Sequence, residues 1–259
     1  MNYFLNLLQF LTRITIKKDL DLVDDMGKAL VYFPLVGVVI GALMYLVYAS
    51  LYNLIGIQVV IGIVFIVVLF EAMITGGLHI DGFGDTFDGI FSYRSKERIL
   101  EIMKDPTMGT NGVVSIVFLI IGKILFIYLA VVNGIDILIF QIPIISRLMP
   151  VVLSYKTRSA RKNGMGELFI GKCNTKTLII SIAYTYAVVF FSSYIVKGLN
   201  LAIISSMVSF ILTIFIYFVF KRKVYNKIDG LTGDILGCSV ELTELLYIII
   251  CVMVNSSIS

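Results

Sequence analysis

Charge is scarce in this chain. Asp, Glu, Lys and Arg make up 15% of its 259 residues, where a water-soluble domain carries about 25%. Hydrophobic residues account for 59%, and the mean hydropathy is +0.98. A soluble globule could not hide that much apolar surface, so the composition excludes one. Cysteine is also sparse. Cys173, Cys238 and Cys251 are scattered and form no CxxC pair, so there is no disulfide framework. Histidine occurs once, as His79. The net charge of +4 is not gathered into a basic stripe. Its lysines and arginines sit in short loops between apolar runs, which argues against nucleic acid and fits an anionic lipid surface or anionic substrate. The first segment has no basic stretch ahead of its apolar part and no small-residue cleavage site, so it does not read as a signal peptide. No tandem repeat or low-complexity linker divides the chain, which reads as one membrane-embedded domain over 1–259.

What the chain does have is long apolar runs. Seven are long enough, or nearly so, to cross a bilayer as helices of about 20 residues. They cover 30–52, 57–75, 113–132, 135–153, 178–196, 201–220 and 235–254. The last carries Glu241 and Glu244 in its first half. Phe4, Leu7, Leu8 and Leu11 share a helical face, which predicts a helix lying in the membrane interface. The expected fold is therefore all-α: a polytopic integral membrane bundle of about seven transmembrane helices plus an N-terminal interfacial helix. Eighteen of the 21 basic residues, Lys17, Lys18 and Lys162 among them, fall before the first run or in alternate loops; the opposite loops hold only Lys197. That bias predicts a multi-pass protein of the cell membrane with its N-terminus in the cytoplasm. It puts segments 76–112, 154–177 and 221–234 on the same, cytoplasmic side.

Residues 76–89, GGLHIDGFGDTFDG, follow the second run directly. They set His79, Asp81, Asp85 and Asp88 among five glycines. The aspartates recur at i, i+4 and i+7, one face of a helix, where three carboxylates repel unless a cation neutralises them. Oxygen-only ligands suit a hard cation, Mg²⁺ most naturally when a phosphate substrate completes its shell. A solvated loop is the plain alternative, weakened by the adjoining span. His79 could be a base, a metal ligand, a phosphate donor or a structural residue. On a continuous helix it points almost opposite Asp81, so a shared metal site needs a break near Gly82. The glycines leave helix or loop open.

Other polar residues stand out against this background. In IMKDPTMGTNG (102–112), Lys104, Asp105 and Thr110 suit phosphate contact or an ordinary loop before a span. Lys123 and Arg147 fall inside apolar runs, where a charge faces a cavity or a carboxylate. Asp234, Glu241 and Glu244 form a second acidic stripe on one helical face. If the two stripes converge, they supply oxygens for one or two divalent ions. The segment 154–177 is either a solvated positive-inside loop or a lid for a polyanionic nucleotide, with Arg158, Arg161, Lys162 and Lys172 as its cations.

These motifs resemble the cobalamin synthase family, adenosylcobinamide-GDP ribazoletransferase. GGLHIDGFGDTFDG matches the family pattern GGxHxDGxxDTxDG at nearly every fixed position. FPLVGVVIG at 33–41, RILEIMKDPTMGTNGV at 98–113, Lys123, Ser146-Arg147, LFIGK at 168–172 and GLTGDILGCSVELTEL at 230–245 are similar to its other blocks, in order. Pro106 and Met108 depart from it, standing where serine and a basic residue are usual. The resemblance implies a Mg²⁺-dependent membrane enzyme that joins adenosylcobinamide-GDP to α-ribazole or its 5′-phosphate and releases GMP. It implies that Asp81, Asp85 and Asp88 clamp the pyrophosphate through the metal. Asp234, Glu241 and Glu244 would hold a second ion or orient the nucleophile. Arg147 and Lys123 would neutralise phosphate charge, and a carboxylate or His79 would take the hydroxyl proton. A homo-oligomer stays open. Two other classes compete. A CDP-alcohol phosphotransferase would need DGxxAR, whereas Asp88-Gly89 is followed by Ile90-Phe91-Ser92-Tyr93. An ion transporter would line a path with Glu71, Lys123, Glu241 and Glu244.

Overall fold

A computed structural model describes residues 3–16, 25–161 and 164–258; Lys17, Lys18 and Lys162 lie outside them. The described residues are helical, with no strand beyond the isolated bridges Tyr155–Cys173 and Ser159–Leu231. The helices are α1 (Tyr3–Leu11), α2 (Phe33–Ile55), α3 (Val60–Thr75), α4 (Leu78–Ile90), α5 (Lys96–Ile102), α6 (Thr110–Val132), α7 (Leu138–Leu153), α8 (Thr175–Lys197), α9 (Leu199–Val219), the single turn α10 (Asn226–Ile228) and α11 (Gly233–Ile258). Six helical stretches are long and apolar enough to cross a membrane, and they make this a multi-pass membrane protein.

The count of seven was approximate. The run at 135–153 becomes α7, of only 16 residues, about 24 Å at 1.5 Å per residue against a hydrocarbon layer of about 30 Å. Nearly every α7 residue is buried, because α2, α8, α9 and α11 enclose it. Close approach makes this enclosure feasible. A Cβ on Gly37 would lie 2.3 Å from the Pro143 carbonyl oxygen, and one on Gly41 2.1 Å from that of Phe140. Small residues one turn apart thus let α2 and α7 touch backbone to backbone. In α1, Leu7, Leu8 and Leu11 are buried against protein.

The connecting segments 76–112, 154–174 and 221–234 gather at one end of the bundle. Lys227 Nζ donates to the Ile90 carbonyl at 2.5 Å, and Lys96 reaches Asp229 at 3.3 Å. Leu231 ties two of these segments together through its backbone: Ala160 N–H donates to Leu231 O at 2.8 Å, and Leu231 N–H donates to Arg158 O at 3.0 Å.

Candidate active site

The chain enters the site through two left-handed glycines. Gly76 (φ 64°) and Gly77 (φ 71°) reverse it between α3 and α4. α4 then runs unbroken through Gly82, so the glycine-rich stretch is helix. Its glycines face neighbours rather than water. A Cβ on Gly82 would sit 2.8 Å from the Asp234 carbonyl oxygen, and one on Gly237 3.3 Å from His79 Cα. This crossing of α4 and α11 brings Asp234 beside Asp81 and Asp85.

The result is a concentration of negative charge. Asp81 is exposed and Asp85 half-buried. Burial, then the Asp81 and Asp234 carboxylates, push the Asp85 carboxyl up to about 7. Arg161 is the counter-charge: its Nη1 donates to Asp234 Oδ2 at 2.8 Å and its Nη2 to the Leu100 carbonyl at 3.1 Å. Asp81, Asp234, Arg161 and Gly82 border a chamber of about 210 Å³, whose other walls include Phe10, Phe33 and Phe169. His79 also lines it, is 6% exposed, and leaves Nδ1 without a hydrogen-bond partner. Burial, aided by the Arg147 charge, lowers its pKa to about 3, so the ring is neutral. On the unbroken helix His79 packs against α11 and does not share a ligand set with the aspartates.

Asp88 faces a different neighbour. It accepts from the Gly109 N–H at 2.6 Å and the Gly112 N–H at 2.8 Å. Both amides belong to the start of α6, which has no side-chain cap of its own, so Asp88 caps that helix from outside. The chemistry of the remaining donors, Asp81, Asp85 and Asp234, fits a hard divalent cation: all are carboxylate oxygens, and their charge exceeds that of Arg161. Among the described residues, no three Asp, Glu, His or Cys side chains are placed to hold a metal ion by themselves. The set therefore suits an open site that a phosphate completes, rather than an all-protein cage.

Glu241 and Glu244, deeper along α11, join a separate group. Lys123 Nζ lies 3.1 Å from Glu71 and 2.7 Å from Glu241, and it also pairs with Glu244. Arg147 pairs with Glu244, which accepts from Ser146 Oγ at 2.9 Å. All five charged side chains are buried. Three carboxylates and two cations here answer one another, so the residues a transporter would need along a path are engaged together.

A sequence model of the family described as cobalamin-5-phosphate synthase matches residues 3–252. The chain belongs to the cobalamin-5-phosphate synthase family. It is 46% identical over 250 residues to the adenosylcobinamide-GDP ribazoletransferase of Clostridioides difficile (strain 630), covering 96% of each chain. It is 40% identical over 259 residues to that of Alkaliphilus metalliredigens (strain QYMF), 99% of this chain and 97% of the relative. To that of Clostridium botulinum (strain Loch Maree / Type A3) it is 38% identical over 257 residues, 98% of each. No solved structure matches. This synthase is thus a transferase of cobalamin biosynthesis.

Within this cobalamin synthase, several residues nominated from sequence lie away from the chamber. Arg158 pairs with Asp229 and donates from Nε to its carbonyl at 3.2 Å, tying the 154–174 loop to the turn before α11. Lys172 lays its stem against Gly27. Asp105 accepts from the Thr107 N–H at 2.9 Å, and Lys104 and Thr110 are exposed. Conversely, the pairing of Arg161 with Asp234 and the aromatic wall carry no sequence signal. One arginine among several in a basic loop, and three phenylalanines among 18, become distinctive only when the loop folds over α4.

Proposed function

We propose that this synthase transfers the adenosylcobinamide phosphate of adenosylcobinamide-GDP to a ribose hydroxyl of α-ribazole or its 5′-phosphate. The products are adenosylcobalamin or its phosphate, and GMP. The reading is carried by one observation: Asp81, Asp234 and the Arg161 that pairs with Asp234 line a chamber walled partly by aromatic rings, with Asp85 in the same field of charge. The acceptor oxygen forms a bond to phosphorus, the bond from that phosphorus to the GMP oxygen breaks, and a carboxylate of the rim takes the hydroxyl proton. Such a transfer is mostly positioning and charge neutralisation. Mg²⁺ bound by Asp81, Asp85 and Asp234 would supply the neutralisation at the pyrophosphate. Arg161 holds Asp234 in place and adds a fixed positive charge. Asp234 sits in the first turn of α11, the end of a helix where negative charge is favoured.

The cell membrane is the proposed location, with the N-terminus and this site in the cytoplasm. The support is the charge bias: the segments that surround the site carry most of the lysines and arginines. The test is GMP release by protein in nanodiscs supplied with adenosylcobinamide-GDP, α-ribazole and Mg²⁺. Asp85→Asn should lower the rate by at least about a hundredfold, the scale of losing one charge-stabilising group. Unchanged GMP release by Asp85→Asn would sink the metal-clamp assignment.

A further inference from the structure

The chamber has two chemically different linings. Asp81, Asp234 and Arg161 form one. Phe10, Phe33 and Phe169 form the other, with the Phe33 and Phe169 rings edge-to-face at 5.1 Å and Phe10 tilted on Phe169 at 5.6 Å. Phe33 and Phe169 are buried, whereas Phe10 is partly open. Three rings packed this way offer faces and edges to a fourth. His79 also lines the chamber, with its Nδ1 covered beneath the surface.

The geometry points to this chamber as the seat of the planar aromatic base of the nucleoside acceptor, with its sugar turned toward Asp81 and Asp234. This deepens the transferase reading and rests on it. Size supports it: about 210 Å³ is below the roughly 300–1,000 Å³ of pockets for drug-sized ligands, so one ring system fits where a whole nucleotide does not. Polarity distinguishes the two bases in the reaction. Guanine on the donor presents several donors and acceptors along its edge. The phenylalanine wall would leave them unpaired, which a binding site strongly rejects. A base with only ring nitrogens meets carbon on its faces and leaves few polar groups unpaired. The acceptor sugar then reaches the aspartate rim, where the phosphate chemistry is placed.

The experiment separates the two substrates. Phe10→Leu and Phe169→Leu keep an apolar side chain and remove a ring; Met165→Trp adds bulk at a chamber residue that is 64% exposed. GMP release is measured in nanodiscs with each substrate varied at saturation of the other. Each variant should raise KM for α-ribazole about tenfold, with kcat and KM for adenosylcobinamide-GDP within twofold of the parent. A rise in donor KM with acceptor KM unchanged would assign the chamber to guanine and overturn the proposal, as would no change in either. Should a variant turn over too slowly to measure, calorimetric titration with the free base of α-ribazole decides: binding by the parent, lost in the variant, is expected. Parent protein that never binds the free base overturns the assignment. Absence of GMP release by the parent defeats the transferase reading instead, a result distinct from any selective change in the variants.

Discussion

Lys123→Met removes the charge that three carboxylates share while keeping a long apolar stem. Lys123 is 3% exposed and lies against Glu71, Glu241 and Glu244. In the variant, three buried carboxylates face one guanidinium, that of Arg147. Removing one partner from a buried ion pair costs about 3–5 kcal/mol, because the charge left behind is neither hydrated nor paired. At about 2–4 °C per kcal/mol for chains of this size, the melting temperature should drop on the order of 10 °C. The assay is thermal unfolding in detergent, with parent and variant at one protein and lipid concentration. Adding Glu244→Gln to Lys123→Met should cost less than the two single changes summed, with a coupling of about 0.5–3 kcal/mol. A Lys123→Met protein within about 1 kcal/mol of the parent would refute the reasoning. It would mean that the carboxylates draw their compensation from elsewhere.

Asp88→Ala frees the Gly109 and Gly112 amides. It should lower stability by about 1–2 kcal/mol in the same unfolding assay; unchanged stability with lost activity would instead make Asp88 a ligand of the metal. Gly82→Ala pushes a methyl to 2.8 Å from the Asp234 carbonyl, an overpacking of about 1–3 kcal/mol, and GMP release should fall because α4 and α11 separate. Mg²⁺ should protect against unfolding more strongly as pH rises from about 6 to 8. Asp85, raised to about 7 mainly by burial, is progressively deprotonated over that window. Its unmatched charge then destabilises the free protein and attracts the cation. Protection independent of pH would show that Asp85 does not bind the metal.

The spans were legible because apolar runs of bilayer length have few alternatives; that α7 is short and enclosed by other helices was not, because burial in protein and burial in lipid look alike in sequence. The aspartate face was legible from helical spacing, but its continuity was not. Glycine is a poor helix former, and only packing against Asp234, Met108 and Met103 explains Gly82, Gly84 and Gly89. The acidic stripe of α11 could not be apportioned from its periodicity. From Asp234 to Glu244 is about 15 Å along the axis, so its two ends meet different partners. Asp234 joins the aspartates and Arg161, whereas Glu241 and Glu244 join Lys123 and Arg147. Arg158 and Lys172 were indistinguishable from Arg161 by residue type, and the loop fold separates them.

The buried charge group also imposes an order on synthesis. Lys123 on α6 and Arg147 on α7 leave the ribosome with Glu71 already made, but Glu244 follows 121 residues after Lys123 and 97 after Arg147. Until α11 arrives, two cations share one carboxylate inside a forming bundle, a costly arrangement in hydrocarbon. α6 and α7 therefore have reason to remain near the insertion machinery or the membrane surface until the helix that carries Asp234 is in place. The helix that completes the charge balance also completes the chamber, so assembly of the bundle and readiness for chemistry become a single event.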